Sequence, residues 1–233
     1  MPPEPPLEML ISVHLPKTAG SSVLKALESH FGERLLRVHD RPINTAPGKR
    51  RLHAARACLA NAVRPPRAIE CIHGHFLPLK YLFLKWRAKA RFVTWMRDPA
   101  QRLVSHYHYC HRMHRLGTPS RLQRRVVEEG WSLEQFCLCA ELQNVYSQFL
   151  WGFPLRCFQF IGVVEHFEED FQYFTHTFLN TSLPVCRENV NAEKPAGAYA
   201  IDPDLRQRIE RQHRKDYALY RTALAMRLAR HRR

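Results

Sequence analysis

The sequence predicts an α/β fold: a mostly parallel open sheet with helices on both of its faces. Short apolar runs rich in strand-forming residues alternate along the chain with segments whose apolar residues recur at helical spacing. The length of 233 residues fits one domain of ordinary size. A hydrophobic content of 45% supplies enough apolar surface for a core, which excludes a disordered or fibrous chain.

Five segments are predicted to be strands, because each is short, apolar and bounded by turn residues. They are 9–14, 35–38, 68–72, 91–96 and 158–164. Five other segments are predicted to be helices from the spacing of their apolar residues. They are 21–28, 51–63, 99–114, 167–178 and 203–230. Asp202 is the expected N-cap of the last helix, with Pro203 in its first turn.

The whole chain, 1–233, is predicted to form a single domain. Within it, 1–7 is a Pro-rich start, 186–202 a candidate lid loop and 203–233 a basic C-terminal helix. In open parallel sheets, ligands bind beyond the carboxyl ends of the strands. Three polar motifs follow predicted strands, so we expect all three motifs at that one edge.

The charge of the chain predicts an anionic partner. Lys and Arg number 36 against 21 Asp and Glu, a net charge of +15. Residues 97–125 contribute +6 and residues 205–233 contribute +8. Such clusters suit a nucleic acid, a phosphorylated nucleotide, a sulfated or carboxylated glycan, or an acidic membrane surface, and composition does not choose among them.

The first motif follows the first predicted strand and opens the first helix. A glycine-containing turn at a helix N-terminus presents backbone N–H groups and positive charge to an anion, which predicts a P-loop-like phosphate cradle. The motif differs from the nucleotide triphosphatase loop, because its lysine precedes the glycine and no residue is placed to hold magnesium. Its candidate nucleotide-binding residues are Lys17, Thr18, Ala19, Gly20, Ser21 and Ser22.

The second motif, residues 97–107, follows the fourth predicted strand. Arg97 at the strand end and Ser105, two helical turns later, are expected to face one point and to bind a second phosphate. Arg102 is expected to face elsewhere. The alternative is a Pro-initiated helix whose arginines are solvated.

The third motif, His73-Gly-His75, is expected in a loop after the third strand. A histidine there has a pKa close enough to neutrality to take a proton from an alcohol. His106 is one of four histidines crowded on the helix after Arg97. Without an acidic or cysteine partner at a matching offset, they favour a face that contacts an acidic acceptor over a metal site.

The three motifs, in this order and spacing, resemble those of the carbohydrate sulfotransferases that use 3′-phosphoadenosine 5′-phosphosulfate (PAPS). The resemblance is to the branch of the heparan and chondroitin 2-O-sulfotransferases and their short bacterial relatives. It extends over about residues 9–220 and includes 160–165, 188–191 and Lys194. It implies a sulfuryl transfer from PAPS to a hydroxyl acceptor, with no metal ion.

The resemblance also implies a role for each motif. Residues 17–22 would hold the 5′-phosphosulfate, and Arg97 with Ser105 would hold the 3′-phosphate. A loop that contains Asn191 and Lys194 would close over the nucleotide. The catalytic base would be His75, with His73 beside it at the acceptor. A lysine at position 17 would stabilise charge on the leaving phosphate oxygen.

The expected acceptor is a carbohydrate that carries negative charge, and no stable nucleic acid partner is expected. No run reaches the roughly 18 apolar residues of a membrane span, and the first residues do not form a signal peptide. We therefore expect a soluble cytoplasmic protein with reduced cysteines; the alternative is a Golgi-type lumenal domain whose anchor lies outside this sequence. Two other functions stay open: a non-catalytic polyanion- or RNA-binding protein on a nucleotide-binding fold, and a nucleotide kinase.

Overall fold

A central sheet of five parallel strands organises the computed structural model, which describes residues 9–40, 45–66, 68–117, 120–185 and 197–232. The strands are β1 (Leu10–Val13), β2 (Leu35–His39), β3 (Cys71–His75), β4 (Arg91–Met96) and β5 (Phe160–Val163). Their order across the sheet is β2-β3-β1-β4-β5, and every neighbouring pair is parallel. The predicted α/β class is therefore confirmed, with β1 in the centre.

Helices connect and flank these strands. In chain order they are α1 (Gly20–Phe31), α2 (Pro47–Val63), α3 (Leu84–Arg87), α4 (Pro99–Arg115), α5 (Arg121–Glu128), α6 (Leu133–Leu138), α7 (Val145–Phe149), α8 (Phe167–Leu179), α9 (Pro203–Gln212) and α10 (Arg214–His231). None of the helices in the described ranges is both long and apolar enough to cross a membrane. Six cysteines lie in those ranges, and all six are free thiols.

The alternation of side chains along the strands builds a core on each face of the sheet. In β1, Leu10 packs with α1 and α8 on one face, whereas Ile11 and Val13 pack with α7 and α10 on the other. A third apolar cluster joins α4 to α5, α6 and α9 beside the sheet. This cluster supports α4, whose first turn lies at the carboxyl edge.

The third strand differs from its predicted position. It was expected over 68–72 with a loop at 73–75, but it begins at Cys71 and includes His73 and Gly74. Ala68 has a left-handed φ of 58°, which is incompatible with a strand there. Position 74 requires glycine, since a Cβ there would lie 1.8 Å from the Val38 carbonyl oxygen of the neighbouring strand β2.

The predicted C-terminal helix is two helices. The first, α9, ends at His213, whose ring is buried. Nε2 of this ring lies 2.8 Å from the Cys137 carbonyl oxygen at the end of α6, and Nδ1 accepts from the Asn144 N–H, just before α7, at 3.3 Å. Two arginines of α10 are paired within the protein. Arg227 donates to the buried Asp170 at 3.0 Å, and Arg230 donates to the same carboxylate at 2.8 Å.

Candidate active site

The carboxyl ends of three adjacent strands bring the predicted motifs together. The turn after β1 leads into α1, β3 ends at His75, and β4 is followed directly by Arg97. Because β1 lies between β3 and β4, its turn has the histidine strand on one side and the arginine strand on the other. The expectation that the motifs share one edge agrees with this topology.

The turn after β1 has a strained backbone. Lys17 and Ala19 have left-handed φ values of 64° and 61°, which are uncommon for residues with a β-carbon. The Thr18 hydroxyl stabilises this turn by donating to the Leu15 carbonyl oxygen at 2.8 Å. The hydroxyl proton of Thr18 is therefore used within the turn and does not point to a phosphate, although the sequence predicted Thr18 as a nucleotide-binding residue.

Helix α1 begins at Gly20 with no side-chain N-cap and no acidic residue in its first turn. The first N–H groups of a helix lack partners within it, and they carry the positive end of the helix dipole. Of the two serines that follow, Ser21 is exposed and Ser22 is buried. The start of α1 thus has the composition of an anion-binding site.

Lys17 lies among other cations. Its ammonium nitrogen is 4.0 Å from the centre of the Tyr109 ring on α4. Burial, together with the positive charges of Arg112 and Arg97, lowers the pKa of Lys17 to about 8. A cation held in this environment gains free energy when an anion binds beside it.

Arg97 is buried, and its backbone is held by one side chain. The Tyr146 hydroxyl accepts from the Arg97 N–H at 3.0 Å and donates to the Arg97 carbonyl oxygen at 2.8 Å. The guanidinium carbon lies 5.6 Å from the centre of the Tyr199 ring. In the described part of the chain, none of Lys17, Arg97 and Arg112 forms a salt bridge with a carboxylate.

Sequence reasoning missed Arg112 and Tyr109. Both follow Ser105 on α4 by whole helical turns, at offsets of seven and four residues, so these three side chains share one face of the helix. Half-buried Ser105 therefore lies on the face that meets Lys17. The spacing from Ser105 was the signal that could have identified the other two residues.

His75 has a defined tautomer. Its Nδ1 lies 2.7 Å from the His14 carbonyl oxygen, which can only accept, so Nδ1 carries the proton and Nε2 has a free lone pair. The ring stacks on the His14 ring at 4.1 Å between centroids. Burial lowers the pKa of His75 to about 4, partly offset by the bond to His14. The imidazole is therefore neutral at physiological pH and can accept a proton at Nε2, but burial places its pKa below the near-neutral value expected from the sequence.

His73 lies deeper in the sheet than His75. It is buried, its Nδ1 is 2.9 Å from the Ser12 hydroxyl, and burial lowers its pKa to about 3. His106 packs edge-on against Phe136 at 5.3 Å, and burial lowers its pKa to about 3 as well. Both histidines have packing partners within the protein, and Nε2 of His73 and Nδ1 of His106 are buried without a hydrogen-bond partner among the described residues. Their place at the acceptor stays a prediction.

Comparison with known proteins adds a structural similarity. A sulfotransferase from Alicyclobacillus acidocaldarius superposes with a TM-score of 0.45 at 14% sequence identity, over 91% of this chain and 93% of that one. No protein-family model matches the sequence. No curated protein matches it either. At this level of similarity, no activity follows from the match.

The expected lid is described only at its end. Asn191 and Lys194 lie outside the described residues. Tyr199 is fixed to α4, because its N–H donates to the Gln101 side chain and its carbonyl oxygen accepts from the same amide, both at 2.8 Å. Its ring stacks on His108 at 5.2 Å. The C-terminal end of the expected lid is thus attached to the helix that carries Ser105.

No group of three or more His, Cys, Asp or Glu residues within the described ranges could hold a metal ion. Positive charge at this edge comes instead from Lys17, Arg97, Arg112 and the start of α1. The arrangement offers cations for one or more phosphates and a neutral imidazole beside them.

Proposed function

We propose that this protein is a PAPS-dependent sulfotransferase. One observation carries the proposal: Lys17, Arg97 and Arg112, which have no carboxylate partner among the described residues, lie near the start of α1, close to a histidine whose free lone pair is at Nε2. A protein that only bound polyanions would need the cations but not the oriented imidazole. His14 is close to both groups, since the charges of His75 and Lys17 each lower its pKa.

In the proposed reaction, the acceptor oxygen forms a bond to sulfur while the bond between sulfur and the 5′-phosphate oxygen breaks. The acceptor proton moves to Nε2 of His75, and the electron pair of the broken bond stays on the 5′-phosphate oxygen. Lys17 and the first N–H groups of α1 stabilise that oxygen. Proton transfer to a positioned base typically contributes about 10²- to 10⁴-fold in rate.

The residues present suit the nucleotide. A bisphosphorylated ligand brings at least three negative charges, which would offset the mutual repulsion of Lys17, Arg97 and Arg112. Arg97 and Ser105 are assigned to the 3′-phosphate, and residues 17–22 to the 5′-phosphosulfate. Arg112 lies on the Ser105 face of α4, so it can contact either phosphate.

The proposed acceptor is a carbohydrate hydroxyl on a chain that carries carboxylate or sulfate groups. Its support is the excess of positive charge in the segment that follows Arg97. Attraction of this kind is screened over about 8–10 Å at physiological salt. Matched charged and neutral glycans should therefore differ most in rate at low salt, and an equal rate there would contradict the anionic acceptor but not the sulfuryl transfer.

Two measurements test the proposed function. Saturating 3′-phosphoadenosine 5′-phosphate, at about 100 times Kd, should stabilise the protein by ~2.7 kcal/mol, and adenosine 5′-phosphate should stabilise it less. Radiolabelled sulfate from PAPS should appear on a glycan acceptor. Tight nucleotide binding without transfer to any glycan, phenol or alcohol tested would favour the non-catalytic binding protein instead.

A further inference from the structure

Helix α2 has an apolar stripe on the side that faces away from the protein. Its packed face consists of Arg50, Ala54 and Cys58. Leu59 and Val63 lie on the opposite face and are 63% and 73% exposed. Leu52, two turns earlier, belongs to the same stripe and is 52% exposed. A surface helix of a soluble protein usually has polar residues on this side.

Exposed aromatic rings adjoin this helix. Phe83 and Trp86 are 38% and 66% exposed, and their ring centres are 6.2 Å apart. The segment that carries them packs beside α2, and Asn61, on the packed side of α2, donates from its side chain to the Lys80 carbonyl oxygen at 3.1 Å. A tryptophan this exposed is unusual on a free surface and common where protein meets a lipid headgroup layer.

The same part of the chain is strongly basic. Between Lys49 and Arg91 there are eleven Lys and Arg residues, of which Lys80 is paired with Asp40 and Arg50 is buried. The one acidic residue of the segment, Glu70, is paired with Arg34. Exposed Lys49 and Arg56 have no carboxylate partner among the described residues. The same is true of three further basic residues of this segment, Arg64, Lys85 and Lys89.

We infer that the exposed stripe of α2 (Leu52, Leu59 and Val63) and the exposed rings of Phe83 and Trp86 in the segment packed beside α2, with their Lys and Arg neighbours, form a surface that binds an anionic lipid surface. Aliphatic and aromatic side chains with a basic surround are the composition of helices that lie in the headgroup region. Lipid phosphate and carboxylate groups complement the positive charge. The inference is independent of the proposed sulfotransferase activity.

Two other occupants fit the surface less well. A second copy of the chain would bring two strongly basic surfaces together, and like charges would oppose that contact. A nucleic acid would match the charge, but protein surfaces that bind single strands use aromatic stacking instead of a leucine and valine stripe. Charge and apolar character together favour the lipid surface.

Sedimentation of the full chain with lipid vesicles tests the inference. Binding to vesicles with about 30% phosphatidylserine should exceed binding to pure phosphatidylcholine by at least about tenfold. The triple variant Leu59→Ser, Val63→Ser and Trp86→Ser should lose most of this binding. The control variant carries Leu116→Ser and Leu228→Ser. These side chains are 71% and 55% exposed and lie outside the proposed surface, so the control should bind like the unchanged protein.

Two variants that each lose three positive charges test whether this surface, and not the net charge of the protein, causes the binding. The variant with Lys49→Gln, Arg56→Gln and Arg64→Gln should bind anionic vesicles at least about fivefold more weakly. The control changes three exposed arginines of the C-terminal region to glutamine and should retain binding; these are Arg211, Arg214 and Arg232. Unchanged thermal unfolding of each variant would exclude misfolding as the cause.

Three results would overturn the inference. One is equal binding to anionic and neutral vesicles, and another is an equal loss in the variants and their controls. The third is a dimer, in sedimentation equilibrium without lipid, that the apolar triple variant dissociates, since that result would assign the surface to a second copy of the chain.

Discussion

The imidazole of His14 occupies the space that a β-carbon on Gly20 would need. An ideal Cβ at Gly20 would lie 1.8 Å from Nε2 of His14, far inside any contact distance. The same ring stacks on His75, and the His14 carbonyl oxygen orients the His75 proton. The glycine at the start of α1 and the proposed base are thus in contact through one side chain.

Gly20→Ala should therefore reduce stability by about 1–3 kcal/mol, because the new methyl group must displace a buried ring. Turnover should fall with it, since displacement of His14 also disturbs His75. The control is Gly48→Ala, another glycine in the first turn of a helix, where a Cβ would meet nothing within 4 Å. Urea unfolding and sulfate transfer measure the two effects; equal stability of both variants would show that the His14 ring moves freely.

His75→Gln and Lys17→Gln should have different kinetic consequences. Loss of the base lowers kcat and leaves nucleotide affinity nearly unchanged, because only the transition state uses the proton transfer. Loss of Lys17 weakens nucleotide binding as well as turnover. Calorimetric titration with 3′-phosphoadenosine 5′-phosphate measures the affinity, and initial rates measure kcat. An equal loss of affinity in the two variants would contradict the role of His75 as the base.

Lys17→Met should stabilise the unliganded protein. The Lys17 pKa of about 8, against 10.5 in an unfolded chain, means that the folded state disfavours the charged amine. Between pH 8 and 10.5 the unfolded state binds more protons, so at pH 7 the charge destabilises the fold by up to about 3 kcal/mol. Thermal unfolding should show a higher Tm for the variant without nucleotide, together with a smaller rise when nucleotide is added. A lower Tm without nucleotide would show that Lys17 is stabilised by a partner.

Arg112→Gln should weaken nucleotide binding by at least about tenfold, since a charge-assisted contact to phosphate contributes about 1.5–3 kcal/mol. Arg115 is exposed at the end of the same helix and lies off the Ser105 face, so Arg115→Gln is the matched control for charge and helix position. Isothermal titration at fixed salt compares the two. An equal small loss of affinity for both variants would mean that Arg112 acts only through the net positive charge of the protein and not through a direct contact with phosphate.

Stability should fall as the pH decreases from about 6.5 towards 4. The pKa is about 4 for His75 and His213 and about 3 for His73 and His106, each lowered chiefly by burial. In that range the unfolded chain binds protons that the folded chain does not, so stability is present above pH 6.5 and lost below it. Each such histidine contributes at most about 1.4 kcal/mol per pH unit. Calorimetry at pH 5.5 in buffers of different ionisation enthalpy should detect proton uptake on unfolding, and release of protons would contradict these pKa directions.

Most of the scaffold of the site was predictable from local patterns. The strand 91–96 and the helix starting at Pro99 agree with prediction, because Arg97-Asp-Pro after an apolar run is a strong local stop and start signal. The charge sums over 97–125 and 205–233 were less informative. These sums did not reveal the basic segment from Lys49 to Arg91, because acidic residues in other parts of the chain offset its charge. They also did not show that Arg227 and Arg230 are paired with Asp170.

The sequence by itself determined the parallel α/β fold and the edge at which the three motifs meet, because strand and helix periodicity and turn residues are local properties. Only the tertiary structure separated His75 from His73. Both lie on one strand, but the depth of each ring depends on which strands flank β3 and on what packs over its end. Likewise, the cation cluster around Lys17 exists because α4 places Arg112 near the turn after β1, where its charge acts on Lys17 although the two residues are 95 positions apart in the chain. Such long-range contacts depend on packing, which a local pattern does not specify.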